Sequence, residues 1–234
     1  LAVWGLAALA AWAAPGFGAD LPDPARQDLT DGQRLEALLQ RVRLEQQSMK
    51  TLAGRFRLLQ ESDLLLEPRE SKGEFLFRAP DTVRWDYETP DAMTVLVRKG
   101  RMTTWYRDLK RAEVAEIGKA ADRLVRVMNA ASALDDLLDS FDARVRFGSD
   151  TSQPYWVELL PKYKRIAKRM RSVTLWIDRD RFTPVRIRLE GADGEVTDFT
   201  FEEIRVNPQI PLESFELKLP PEVAVTTVQL GAAG

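Results

Sequence analysis

The chain contains no cysteine and no histidine. Without cysteine there are no disulfide staples, no thiol nucleophile, and no residue to carry the lipid of a lipoprotein's mature N-terminus. Without histidine the commonest general base, the usual hydrolase triad and most zinc sites are missing. Glycine-rich phosphate loops of the P-loop or dinucleotide type are also absent. Charge is balanced, with 34 Lys and Arg against 36 Asp and Glu and a net charge of -2. No global field therefore draws the chain to nucleic acid, and no nucleic-acid partner is expected. Composition does not exclude a carboxylate pair of the glycosidase type. Asp135, Asp136 and Asp139 stand at helical spacing, but beside Leu134, Leu137 and Leu138 they read as the wet side of an amphipathic helix. The expectation is a protein with no catalytic residues, no metal and no cofactor.

What is present begins with an apolar run. Leu1 to Ala14 is built from Ala, Leu, Val and Trp around Gly5, and Pro15, Gly16 and Gly18 follow. This is the shape of a signal-peptide core with a small-residue cleavage region, and it is too short for a permanent membrane anchor. The first residue is Leu and no basic segment precedes the run, so the true start is read as missing, with cleavage near Gly18 or Ala19. The other reading, a buried N-terminal helix, sits poorly with a run that has no polar face and ends in Pro15. Residues 1–19 are expected to be a signal peptide, 20–30 a flexible lead-in with Pro22 and Pro24, and 31–234 one domain exported to the periplasm or the exterior.

Within that domain Asp31 is placed to cap a helix with Leu35, Leu38, Leu39 and Val42 on one face. Leu52 to Ser62 reads as a strand, and the Glu67-Pro68-Arg69 region as a turn. The stretch from Gly73 to Pro90 is the most informative. Phe75 and Phe77 alternate with Glu74 and Arg78, then Val83, Trp85 and Tyr87 alternate with Arg84, Asp86 and Glu88. That is the period-two pattern of two strands with one apolar face. Leu76 adds a large apolar group on the other side, so the sheet covers more than its own core. Met93 to Arg98 and Met102 to Tyr106 form a hairpin about Lys99-Gly100. Further strands are read at Ala143 to Phe147, Tyr155 to Leu160, Ser172 to Asp178, Thr183 to Glu190 and Glu195 to Val206.

Between Lys119 and Phe141 the period lengthens to that of a helix. Leu124, Val127, Met128 and Ala131 form one stripe; Leu134, Leu137, Leu138 and Phe141 form another. Such helices either close over one face of a sheet or pack as ordinary core. Many sequential strands around one helical excursion imply an antiparallel sheet, strongly curved or closing toward a barrel. The run from Pro161 to Arg171 is the strongest charge cluster. It reads either as a solvated connection, with Asp178 and Asp180 near in sequence, or as a surface for anionic headgroups or an acidic partner.

These pieces together resemble the periplasmic outer-membrane lipoprotein carrier family (LolA-like). The resemblance runs over most of the mature chain, through Leu52-Ala-Gly-Arg-Phe56, Gly73-Glu-Phe-Leu-Phe-Arg-Ala-Pro80, Arg84-Trp85-Asp86-Tyr87, Pro90, Lys99-Gly100 and Trp105-Tyr106. It continues through Leu159-Leu-Pro-Lys162, Val173-Thr-Leu-Trp-Ile-Asp178, Phe199-Thr-Phe-Glu-Glu-Ile204, Asn207-Pro208, Ile210-Pro211, Phe215 and Leu219-Pro220-Pro221. It implies a mainly β fold, an incomplete antiparallel β-barrel with a helical lid over an apolar cavity for lipoprotein acyl chains. The implied partners are acylated lipoprotein cargo, an inner-membrane lipoprotein-releasing transporter and an outer-membrane receptor, with the carrier a monomer. Phe75, Phe77, Trp85, Trp105, Leu124, Met128, Leu137 and Leu138 are the candidate lipid-binding residues, each also readable as ordinary core. One departure stands out. Members carry an arginine immediately before the proline matching Pro80, where it bonds to the lid; here that position is Ala79 and the basic residue is Arg78. A one-residue displacement along a strand turns a side chain to the other face, so Arg78 does not inherit the latch unless the backbone bulges at Ala79; it is kept as the candidate lid or headgroup contact. This departure keeps open a related lipid- or glycolipid-binding or envelope-sensor module that does not shuttle lipoproteins.

Overall fold

The computed structural model describes residues 23–63, 65–116, 138–147, 150 and 152–228. The expected signal peptide and the candidates Leu124, Met128 and Leu137 lie outside the described residues.

Helix α1 spans Asp31–Ser48. Its cap is Thr30, not Asp31. The Thr30 hydroxyl accepts from the Gln33 amide, and the Gln33 side-chain oxygen accepts from the Thr30 amide at 2.9 Å. This reciprocal box satisfies two amides that the first turn leaves over. Asp31 falls in the first turn, where its charge complements the helix dipole. Leu38, Leu39 and Val42 are buried on one face.

Twelve strands follow: β1 Thr51–Glu61, β2 Arg69–Arg78, β3 Thr82–Thr89, β4 Met93–Arg98, β5 Arg101–Tyr106, β6 Arg111–Glu116, β7 Phe141–Arg146, β8 Tyr155–Pro161, β9 Met170–Ile177, β10 Pro184–Gly191, β11 Val196–Val206 and β12 Ala224–Thr227. They form one sheet in the order β12-β6-β5-β4-β3-β2-β1-β11-β10-β9-β8-β7. Neighbours are antiparallel except β12, which runs parallel to β6. The edge strands β12 and β7 do not pair among the described residues, so the sheet curves without closing into a barrel. A one-turn helix α2, Lys164–Ala167, joins β8 to β9, and a 3-10 turn covers Leu212–Phe215.

Cross-strand partners project to the same face, so register sorts the side chains. Phe75 pairs with Gly54 and with Trp85, Trp85 with Val95, and Val95 with Thr104. On the other side Phe56 pairs with Phe201, Leu58 with Phe199, and Phe199 with Ile187, followed by Leu175 and Val157. One inner face therefore runs the width of the sheet. It carries two apolar clusters. Helix α1 covers the first, packing Leu38, Leu39 and Val42 on Tyr155, Val157, Leu159, Val173, Leu175 and Ile187. The second contains Phe56, Phe75, Phe77, Val83, Val97 and Ala115.

Two glycines on the inner face make room for rings. A Cβ on Gly54 would stand 2.9 Å from the Phe75 ring; one on Gly73 would overlap the Asp86 backbone carbonyl and approach the Phe56 ring to 2.9 Å. Each ring lies over bare backbone on the neighbouring strand. Gly73→Ala is expected to lower unfolding free energy by about 2 kcal/mol in urea denaturation; an unchanged midpoint would show that β2 yields without cost.

The outer face is crossed by the C-terminal segment. Since β11 lies beside β1 and β12 beside β6, residues 207–223 span the six strands β1 to β6. Asn207 fixes the start: its side-chain oxygen accepts from the amides of Lys50 at 2.7 Å and Thr51 at 3.3 Å, and its amide donates to the Ser48 carbonyl at 3.0 Å. Midway, the Arg84 guanidinium donates to the Ser214 carbonyl at 2.7 Å, and Phe215 is buried. Asp86 orients Arg84, accepting from it at 2.6 and 3.1 Å, and also accepts from the Thr94 hydroxyl at 2.6 Å and Arg107 at 2.9 Å. Asp86→Ala would leave two partly buried guanidinium groups without their counter-charge. The expected loss is about 2 kcal/mol, with faster amide exchange across 207–223 in hydrogen–deuterium exchange; unchanged exchange there would show that the strap is held by other contacts.

Candidate functional site

Trp85 is the hub of the second cluster. The alternation in β3 turns Val83, Trp85 and Tyr87 inward and Arg84 and Asp86 outward. The Trp85 ring meets Phe56 edge-on at 4.8 Å between centroids, Phe75 at 5.5 Å, Phe199 at 5.7 Å and Phe201 at 6.3 Å. Phe56 also meets Tyr87 edge-on at 4.9 Å, and Phe199 stacks on Phe201 at 6.1 Å. Edge-to-face and offset contacts of this kind satisfy the ring quadrupoles and fix the side chains against one another.

Burial divides this cluster into two levels. Phe75 and Phe77 are 2% and 0% exposed and form its floor. Trp85, Tyr87, Val95, Met102, Phe199 and Phe201 are only half-buried and form its upper surface. Burial pushes the Tyr87 phenol above its ordinary value, so it stays neutral at neutral pH. These upper-level side chains hold no charge. Apart from the Tyr87 hydroxyl they present only apolar carbon and the methionine sulfur, the kind of surface that hydrocarbon can cover without stripping water from a charge.

Of the candidates read from sequence, Phe75, Phe77 and Trp85 come together here. Trp105 does not. The Lys99-Gly100 turn sets Arg98 opposite Arg101, which pairs Trp105 with Thr94 and Ala112 and places it on the outer face. There the Arg107 guanidinium lies 5.9 Å from its ring centroid. Leu138 is half-buried against the other cluster, beside helix α1, and its carbonyl accepts from Lys162 at 2.6 Å. Arg78, the last residue of β2, pairs with Thr51 and Thr82 with no register shift from Gly73 to Arg78, so it shares the outer side. It lines a groove there with Lys50, Asn207, Gln209 and Ile210. Ala79, at the position of the family's arginine, packs on the inner cluster.

Sequence reading did not mark Phe56, Tyr87, Phe199 and Phe201 as part of the site. The signal for Tyr87 was its alternation with Trp85. For Phe199 and Phe201 it was an i, i+2 aromatic pair, whose meaning depends on β11 lying beside β1.

Residues 47–218 match the family model described as outer membrane lipoprotein carrier protein LolA. Among solved structures, an uncharacterised conserved protein from Thermus thermophilus shares the fold at 10% identity and a TM-score of 0.52, over 83% of this chain and 99% of that one. A chain of the Pseudomonas aeruginosa MucA/MucB complex is 18% identical, with a TM-score of 0.47 over 82% of this chain and 62% of its own. The Mycobacterium tuberculosis lipoprotein LppX is 12% identical, with a TM-score of 0.43 over 75% of this chain and 98% of its own. No individual curated sequence matches significantly. No described helix is long and apolar enough to cross a membrane. Because the family model spans the chain from the end of α1 to beyond Phe215, the protein belongs to the LolA outer membrane lipoprotein carrier family.

Proposed function

We propose that this protein is a periplasmic carrier that binds the acyl chains of lipoproteins on the inner face around Trp85 and delivers them toward the outer membrane. One observation carries the reading: α1 covers one end of the inner face, while at the other Trp85, Tyr87, Phe199 and Phe201 stay half-buried. Family membership supports the same reading. Cargo would be received from an inner-membrane lipoprotein-releasing transporter and passed to an outer-membrane receptor, by a monomer acting as a binder and not as an enzyme.

The energetics suit hand-over. Burying a methylene is worth about 0.8 kcal/mol, so a sixteen-carbon chain offers on the order of 12 kcal/mol before ordering costs. Complete enclosure of several chains would hold cargo too firmly to release. Contact along one face of an open sheet captures part of that free energy and leaves the chain removable.

Native mass spectrometry after periplasmic co-expression with a lipoprotein tests the proposal. A stoichiometric complex is expected with acylated cargo and none with the same cargo whose lipidated cysteine is replaced by serine. Ala79 supports a second reading, a lipid- or glycolipid-binding or envelope-sensor module without shuttling. Free lipid bound without any lipoprotein complex would favour that module over the carrier.

A further inference from the structure

The connection between β8 and β9 is not used by the inner face. Between Pro161 and Arg171 the chain carries Lys162, Lys164, Arg165, Lys168, Arg169 and Arg171 and no acidic residue. Sequence proximity offers Asp178 and Asp180 as counter-charges, but both follow the far end of β9, the strand that the run precedes, and the Asp178 carboxylate accepts from the backbone amides of Asp180 at 2.9 Å and Arg181 at 2.8 Å. The neighbouring Asp193 likewise accepts from the Glu195 amide at 3.1 Å. Lys164, Arg165, Lys168 and Arg171 are exposed and have no ion-pair partner among the described residues. In their midst Tyr163 is 55% exposed.

A second feature stands at the same end of the sheet. Glu61 of β1 and Glu190 of β10 both pair with Val196, and Gly191 pairs with Met170. The β1–β2 loop, the β10–β11 turn and the β8–β9 connection therefore emerge side by side. In the β1–β2 loop Leu66 is fully exposed and Leu65 is 43% exposed. Strands β1 and β9 are three steps apart in the sheet, about 14 Å.

We propose that this end of the sheet docks the protein on an anionic lipid bilayer. Headgroup phosphates would neutralise the unpaired lysines and arginines, Tyr163 would lie at headgroup level, and Leu65 and Leu66 would enter the acyl boundary. An acidic protein would match the charge alone. The bilayer also accounts for leucines held out in water at the same rim. The inference goes beyond cargo binding and stands without it, because it rests on none of the inner-face residues.

The test is flotation of the full chain with vesicles of phosphatidylcholine alone and of phosphatidylcholine mixed equally with phosphatidylglycerol, each at low and high salt. Binding to the anionic vesicles only, weakened by salt, is expected. Replacing three charges in Lys164→Gln/Arg165→Gln/Lys168→Gln should weaken it on the order of 100-fold, with an unchanged urea midpoint because these side chains are exposed. Leu65→Ser/Leu66→Ser should weaken the salt-resistant remainder. Equal binding to neutral vesicles, or undiminished binding by the charge variant, would overturn the proposal. So would capture of polyglutamate without any vesicle binding, which would assign the run to an acidic protein partner.

Discussion

Trp85→Asp is expected to lower affinity for an acylated lipoprotein about 100-fold. Trp85 is the centre of the half-buried surface and touches four other rings. In the free protein a carboxylate at this half-exposed position stays in contact with water. Bound hydrocarbon would cover it, and each binding event would then have to strip its hydration. Loss of the indole also removes packing with Phe56 and Phe199, so the urea midpoint falls, but the transition should remain cooperative. Trp85→Phe keeps the surface apolar and should restore most of the affinity. Titration with a fluorescent acyl probe, run beside the denaturation curve, measures both effects. Unchanged affinity in the Asp variant would remove Trp85 from the site.

Phe75→Ala is expected to act on stability instead, by about 4 kcal/mol. Its ring is 2% exposed and is wedged between the Gly54 backbone, Trp85 and Phe201. Neither glycine nor the ladder on either side can move in to fill the space, so the cavity term adds to the lost transfer free energy. Affinity per folded molecule should change less than in the Trp85 variant. A loss of under about 1 kcal/mol would mean that the cluster collapses around the missing ring and that Phe75 is not its floor.

The contrast between these residues shows what sequence could and could not resolve. Alternation made Phe75, Phe77 and Trp85 visible as one apolar face, because cross-strand neighbours in a tight pair are close in the chain. It gave no depth, so floor and surface residues looked alike. Trp105 was misplaced relative to Trp85 because one residue of register decides the face, and that register comes from the pairing across Lys99-Gly100. Phe199 and Phe201 bring two rings to the cluster, as Phe75 and Phe77 of β2 do, yet β1 and β11 are adjacent only in the folded sheet, and nothing local announces that pairing. Strands β6 and β12 escaped notice for different reasons. The inward residues of β6 include Ala115, which is buried but weakly hydrophobic, and β12 is exposed along its whole length and held by backbone pairing. Helix α1 was legible from its 3.6 spacing, with its cap one residue earlier than the acid that advertised it. The displaced arginine was legible as well: β1 and β2 stay in register through Arg78, which puts Arg78 outside and leaves Ala79 against the core.

On the proposed function the inner face, and not the outer one, receives acyl chains. A photoreactive amino acid placed at Trp85 or, separately, at Trp105 tests it directly, since the two positions lie on opposite faces of the same sheet. With acylated lipoprotein present, the probe at Trp85 should capture the acylated segment and the probe at Trp105 should not. Capture at Trp105 with none at Trp85, or equal capture of unacylated cargo at Trp85, would contradict the account.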